Sequence, residues 1–150
     1  METTPISRLP DPAEYPAAYR GVLIKRFFAF LIDSMIITLI LLALIPLTAF
    51  IALFFLGIIA ILLNFFYRSI SLTNRSATPG MRMMGIEFRD NEAQRFSSGM
   101  AMLHTLLFML CMSTMVPQLV SVIMMLVSSR SQGLYDLFLG TAVVNRPPQG

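Results

Sequence analysis

Three long apolar stretches, set apart by polar segments, organise this chain. The first starts near Val22 and runs to about Ile45, interrupted by charge only at Lys25, Arg26 and Asp33. A helix needs about 20 mostly apolar residues to cross roughly 30 Å of hydrocarbon, so this stretch predicts a membrane span. Pro46 is expected to close it, because proline cannot donate to the helical ladder. The second stretch, Leu47 to Tyr67, is almost uninterrupted, with Asn64 as a late polar residue. With only a turn at Pro46 between them, the two are expected to form an antiparallel helical hairpin. The third stretch, Gly99 to Val127, has its span expected at about 101–127 and contains Pro117. At about 1.5 Å per residue a straight helix of that length outruns the hydrocarbon. It must tilt and kink at Pro117, or divide into two short helices.

The remaining segments read differently. Residues 1–20, with Pro5, Pro10, Pro12 and Pro16 and no apolar period, are expected to be a flexible tail. Residues 68–98 form a polar loop carrying Arg68, Arg75, Arg82, Arg89 and Arg95. Within it, Thr78-Pro79-Gly80 is a turn signal, Met84–Asp90 a short strand, 90–93 a turn and Gln94–Phe96 a return strand. Ala142–Val144 is a further strand, followed by a C-terminal tail at 145–150. The fold class expected is an all-α membrane bundle of three helices, or four if the third stretch divides, with a small cytoplasmic β element. Residues 21–144 make up its single domain.

Composition sharpens this picture. Charged residues are only 13% of the chain and hydrophobic residues 56%. A soluble domain covers itself with about 25% charged residues, so lipid is the expected solvent here. The net charge of +3 lies outside the apolar runs or at their ends. That distribution suits anionic headgroups and argues against nucleic acid, which calls for a basic stripe interleaved with aromatics. The positive-inside rule places the N-terminus and the 68–98 loop in the cytoplasm, in the inner (cytoplasmic) membrane of the cell. Pro-rich, acid-bearing residues 1–20 lack the order of a signal peptide, so the first span is expected to serve as its own insertion signal.

Cys111 is the one cysteine, which excludes an internal disulfide and a Cys-based zinc site. Met100, Met102, Met109, Met112, Met115, Met124 and Met125 crowd the third stretch, with His104 and Cys111 near them. Thioethers suit Cu(I), but no tight multi-ligand cluster stands out, and helical spacing fits packing. No metal and no cofactor is expected. His104 reads as an interfacial or hydrogen-bonded residue. With no nucleophile–base–orienter set, no phosphate loop and no paired carboxylates in one block, the chain does not read as an enzyme.

Asp33 is the most informative residue, since a carboxylate inside a span costs about 2.5–3.5 kcal/mol and is expected to have partners. It is either an ion or proton site or a polar pin holding helices together. Arg26, about 10 Å away along the same face, would have to reach against the lean of helical side chains to meet it. Arg26 reads as an interfacial anchor, with Asp136 as its alternative partner if the C-terminal segment returns to the cytoplasmic side. Asp136 with Gly140-Thr141 reads as a structural turn.

These residues carry a resemblance. Gly21, Arg26, Ala29 and Asp33 in GVLIKRFFAFLID, then Thr78, Pro79, Gly80, Arg82 and Gly85 in TPGMRMMG, then Asp136, Gly140 and Thr141 in YDLFLGTAVV stand in order. In this the chain resembles the RDD family of membrane proteins, named for an arginine and two aspartates, over about residues 21–144. Met81 stands where the family pattern has lysine, Tyr135 where it has histidine, and His104 where arginine is common. The resemblance implies a membrane location and suggests a role in transport of an ion or small solute. Three spans hardly enclose a pathway, so transport requires a homo-oligomer. The alternative is a non-catalytic accessory or assembly subunit that docks on a membrane-complex partner.

Overall fold

The computed structural model describes residues 8–147. Residues 1–7 of the expected N-terminal tail and 148–150 of the expected C-terminal tail lie outside the described residues. A single turn, α1 (Pro16–Tyr19), leads into α2 (Val22–Leu47), a 26-residue helix. After a 3₁₀ turn at Ile51–Phe55 comes α3 (Leu56–Arg75), then the short α4 (Pro79–Met83) and strand β1 (Ile86–Arg89). Helices α5 (Ser98–Ser113) and α6 (Met115–Val127) follow, then α7 (Leu134–Leu139) and strand β2 (Ala142–Asn145).

Residues 16–47 and 51–75 are each long and apolar enough to cross a membrane. Their outer faces expose large apolar side chains such as Leu39, Leu42, Phe54 and Ile58. Lipid is the solvent that makes such faces favourable. The third stretch divides, as one of its two expected forms required, with α5 and α6 meeting at 113°. The break falls at Thr114, whose φ of −126° and ψ of 131° are extended rather than helical. Pro117 does not break the chain, because it sits in the first turn of α6, where a missing N–H costs no helical bond. Counted as one span, the bent pair would be a third. Beyond α6 the chain returns to the strand that precedes α5, because β2 pairs with β1.

Several expected boundaries move. Pro46 stays inside α2, and the chain turns at Thr48–Phe50, with Ala49 and Phe50 at positive φ. The Thr48 hydroxyl donates to Leu44 O at 2.7 Å, the carbonyl that also accepts the Thr48 amide at 3.0 Å. The second helix does not stop at Tyr67. It continues to Arg75, because Arg68, Ser69 and Leu72 keep a buried face at helical spacing. Arg68 therefore belongs to the span and not to the polar loop.

The strands expected from the loop and the C-terminus pair antiparallel, Ile86 opposite Asn145 and Arg89 opposite Ala142. Gln94–Phe96 is not a strand. The Asp90 carboxylate accepts from the amides of Glu92 and Gln94 at 3.0 and 2.8 Å, folding that segment into a tight loop. The main core lies where α2 begins, α3 ends and α5 begins, built from Val22, Ala29, Leu72, Ile86, Phe88, Phe96, Ala101 and Val143. Residues 8–20 also depart from the expectation of a flexible tail. Leu9 and Tyr19 are buried against Ala142 and Val144, and the Tyr19 hydroxyl donates to Pro10 O at 2.9 Å. Prolines set this segment's path, and apolar contact with β2 holds it. Asn145 and Arg146, assigned by sequence to the tail, are likewise engaged: Lys25 Nζ donates to Asn145 Oδ1 at 2.6 Å, and Arg146 pairs with Glu87 at 3.2 Å.

Candidate functional site: two buried carboxylates beside one cavity

Asp33 lies midway along α2 and is 4% exposed. Among the described residues no cation pairs with it. Its Oδ1 accepts from the Tyr67 hydroxyl at 2.7 Å and the Gly80 amide at 2.8 Å, and its Oδ2 from the Thr78 hydroxyl at 2.5 Å. Thr78 is also the N-cap of α4, its oxygen accepting from the Met81 amide at 3.3 Å, and Pro79 takes the first helical position. The carboxylate thus meets amide and hydroxyl dipoles at the start of a helical turn, which stabilise negative charge. Gly80 allows the approach. A Cβ there would stand 2.3 Å from the Ala29 carbonyl oxygen and 2.9 Å from Asp33 Oδ1. Gly85 and Gly140 follow the ends of α4 and α7 at φ of 68° and 67°, a left-handed region in which glycine carries no Cβ penalty. Arg82 is exposed and joins neither carboxylate.

Asp136, on α7, is fully buried, with one guanidinium and several neutral donors around it. Arg26 Nη1 is 2.6 Å from its Oδ2, His104 Nε2 2.9 Å from its Oδ1, and the Thr141 hydroxyl donates to Oδ1 at 3.3 Å. The Gly133 amide donates to Oδ2 at 3.0 Å. Facing a carboxylate, His104 Nε2 carries the proton. Burial opposes the charge on Asp136, but the Arg26 guanidinium, the His104 ring and the Gly133 amide outweigh it and hold the carboxyl at about 2. Arg26 further donates to Ser131 O and to the Tyr135 hydroxyl, both at 3.2 Å. Its expected role as an interfacial anchor is therefore replaced by that of a buried counter-ion, made possible because the bent α5–α6 pair returns the chain to α2. Burial pushes the Tyr135 phenol up, against the pull of Arg26.

The three signature charges do not converge on one point. Asp33 fastens α2 to the loop, and Arg26 fastens α2 to the C-terminal segment. Between these fastenings lies a cavity of about 370 Å³, lined by Arg26, Ala29, Asp33, Met81 and Tyr135 among others. Arg68 lines it as well, and sequence reasoning missed this residue by treating it as loop. The guanidinium stacks on Phe108, 3.8 Å from the ring centroid, and Nε has no hydrogen-bond partner. A signal was present: Arg68 and Leu72 share a helical face, so the amphipathic pattern runs on past Tyr67. Tyr67, the third partner of Asp33, was also missed.

A second concavity lies on the outer side of the sheet, where Arg75, Arg89, Arg95 and Arg146 surround Glu87. Glu87 is buried and paired with Arg89 and Arg146. Among the described residues, no group of three or more His, Cys, Asp or Glu side chains is placed to hold a metal ion.

Comparison with known proteins gives one result. The model of the RDD family matches residues 20–140. No curated protein and no solved structure matches.

Proposed function

The chain belongs to the RDD family, its apolar helices point to an integral membrane protein, and on that footing we propose that it moves an ion or small solute across the cytoplasmic membrane. In this reading it is a multi-pass protein with its N-terminus in the cytoplasm, acting as a homo-oligomer. The observation that carries the reading is the cavity between the long apolar helices, onto which Arg26, Asp33 and Arg68 all face. Ionisable groups on a cavity among membrane helices mark solute or proton pathways more often than they mark packing. Asp33 and Asp136 carry the charge interactions. Asp33 is the carboxylate that lines the cavity, and its partners among the described residues are neutral, which leaves its charge to a passing cation. Reconstitution into liposomes tests this: wild-type protein is expected to pass a monovalent cation or protons above the level of empty vesicles. Asp33→Asn should lose that flux while still accumulating in the membrane. Flux equal to that of empty vesicles for the wild type would sink the reading.

A second reading, a non-catalytic subunit docking on a larger membrane complex, is favoured by the arginine-rich concavity around Glu87. Its position beyond the end of α3 gives a basic surface for an acidic partner. Purification in mild detergent separates the two readings. A homo-oligomer without companions supports transport, and a stoichiometric hetero-complex supports the docking subunit.

A further inference from the structure

Arg26 and Arg68 line the same cavity, yet only Arg26 makes an ion pair there. Arg26 has Asp136, Ser131 O and Tyr135. Arg68 is 8% exposed, and among the described residues it makes neither an ion pair nor a hydrogen bond. A guanidinium has five N–H donors, and stacking on the Phe108 ring satisfies none of them. A cation held this way invites an anion. Among the described residues none supplies it: Asp33, Glu87 and Asp136 are already engaged, and Asp11, Glu14, Asp90 and Glu92 lie outside the two long apolar helices. A second copy would bring the same set.

The cavity also says what else the anion carries. Phe27, Phe30, Met112 and Val122 line it and are themselves substantially exposed, so the mouth is apolar. In a bilayer such a mouth opens onto acyl chains. Gln118 lines the same space, and its buried Oε1 has no partner. Arg68 stands seven residues before Arg75, the last residue of α3, hence about 10 Å in from that end. That depth suits the boundary between headgroup and hydrocarbon. The volume of about 370 Å³ lies low in the usual range of roughly 300–1,000 Å³ for ligand sites, enough for a head and the start of a chain.

We propose that this cavity binds an acidic amphiphile from the bilayer, its carboxylate or phosphate head on the Arg68 guanidinium and its apolar body against Phe27, Phe30, Met112 and Val122. A head that keeps one hydroxyl can also donate to Gln118. The proposal rests on the cavity lying among membrane-embedded helices, as the transport reading does, but it does not require flux.

Thermal unfolding of the full chain in a neutral detergent tests it, read with a thiol-reactive dye at the buried Cys111. The probes are oleate against methyl oleate, dioleoyl phosphatidic acid against dioleoyl phosphatidylcholine, and inorganic phosphate alone. Oleate, phosphatidic acid or both should raise Tm by about 5–10 °C at a hundredfold excess over Kd, each well above its neutral counterpart. Arg68→Gln should abolish the rise and Arg68→Lys should keep part of it. If Arg68→Gln does not accumulate, Val122→Trp, which fills the mouth and leaves the charge in place, should abolish the rise instead. Equal shifts for each acid and its neutral counterpart, no shift with any amphiphile, or a rise undiminished in both Arg68→Gln and Val122→Trp would each overturn the proposal. A rise with inorganic phosphate equal to that with the amphiphiles would overturn the bilayer as the source. Acid-specific stabilisation without flux removes the transport reading and keeps this one, and flux without stabilisation does the reverse.

Discussion

Asp33 is held by two hydroxyls and a backbone amide; Asp136 is held chiefly by a guanidinium. Asp33 and Asp136 are hidden to nearly the same degree, so burial alone does not distinguish them. The difference lies in what each leaves behind when its charge is removed. Around Asp33 the partners are neutral, and hydroxyls can turn to suit an amide. Around Asp136 the partner is Arg26, which is itself buried and has no second carboxylate to turn to. A buried acid can thus be a fastening that depends on charge or one that depends mostly on shape.

The largest effect should follow from Asp136→Asn. Removing one member of a buried pair leaves the other uncompensated, at about 3–5 kcal/mol. The variant should fail to accumulate or should melt far below wild type in detergent. The double variant Arg26→Met/Asp136→Leu should recover most of that loss, because two apolar side chains of similar volume cost little in place of a buried pair. A double variant no better than the single one would show that the hydrogen bonds to Ser131 and Tyr135, and not the charge pair, hold the C-terminal segment.

Gly80→Ala should come next. Its Cβ would meet the Ala29 carbonyl oxygen at 2.3 Å, a backbone atom that cannot step aside. Forcing α4 away from α2 costs about 1–3 kcal/mol by overpacking and weakens all three bonds to Asp33 together. Unchanged melting in Gly80→Ala would mean that the Asp33 fastening is more compliant than its geometry suggests.

The two long apolar helices were legible because a run of some twenty apolar residues has few other uses, and the pairing of the loop with the C-terminus was legible from short alternating segments. The division of the third stretch was also foreseen, though at Pro117. Sequence marks where proline stands but not that it stands in a first turn. Of the contacts between motifs far apart in the chain, Arg26 with Asp136 was named as an alternative and is present, while the partners of Asp33 stayed hidden. Nothing in TPG announces that its amide and hydroxyl serve Asp33, 47 and 45 residues earlier. Arg26 was given first the common role of a basic residue at a helix entrance, and Asp136 only as its alternative partner, because that pair depends on the return of α5–α6. Arg68 was placed in the loop because charge weighed more than the period of the buried face around it.

Acid offers a sharper comparison of the two carboxylates. Asp136 titrates at about 2 in the folded chain against an ordinary value of 3.8. A depressed carboxylate gives stability that is fully present above the ordinary value and is lost as pH falls through the folded one. The melting temperature should therefore hold from neutral pH down to about 4 and fall below it, with roughly 2 kcal/mol lost by pH 2. Arg26→Met/Asp136→Leu should lack this acid limb. An acid limb that persists in the double variant would place its origin in another carboxylate.

The smallest change in stability is expected from Asp33→Asn, and it is the variant that separates fastening from function. Asparagine keeps an acceptor for the Gly80 amide and the Tyr67 hydroxyl, and its own amide can donate to Thr78, whose hydroxyl then turns away. About 1 kcal/mol should be lost, the net worth of one exchanged hydrogen bond. Melting and membrane accumulation should stay close to wild type. If flux is lost while accumulation is kept, the Asp33 charge acts on what passes through the cavity, and the α2–α4 fastening is only its setting. If Asp33→Asn destabilises as much as Asp136→Asn does, neutral donors at the start of a short helix hold a carboxylate as tightly as a guanidinium does. The contrast between the two carboxylates then fails, and Asp33 is a structural pin whose charge is part of the fold.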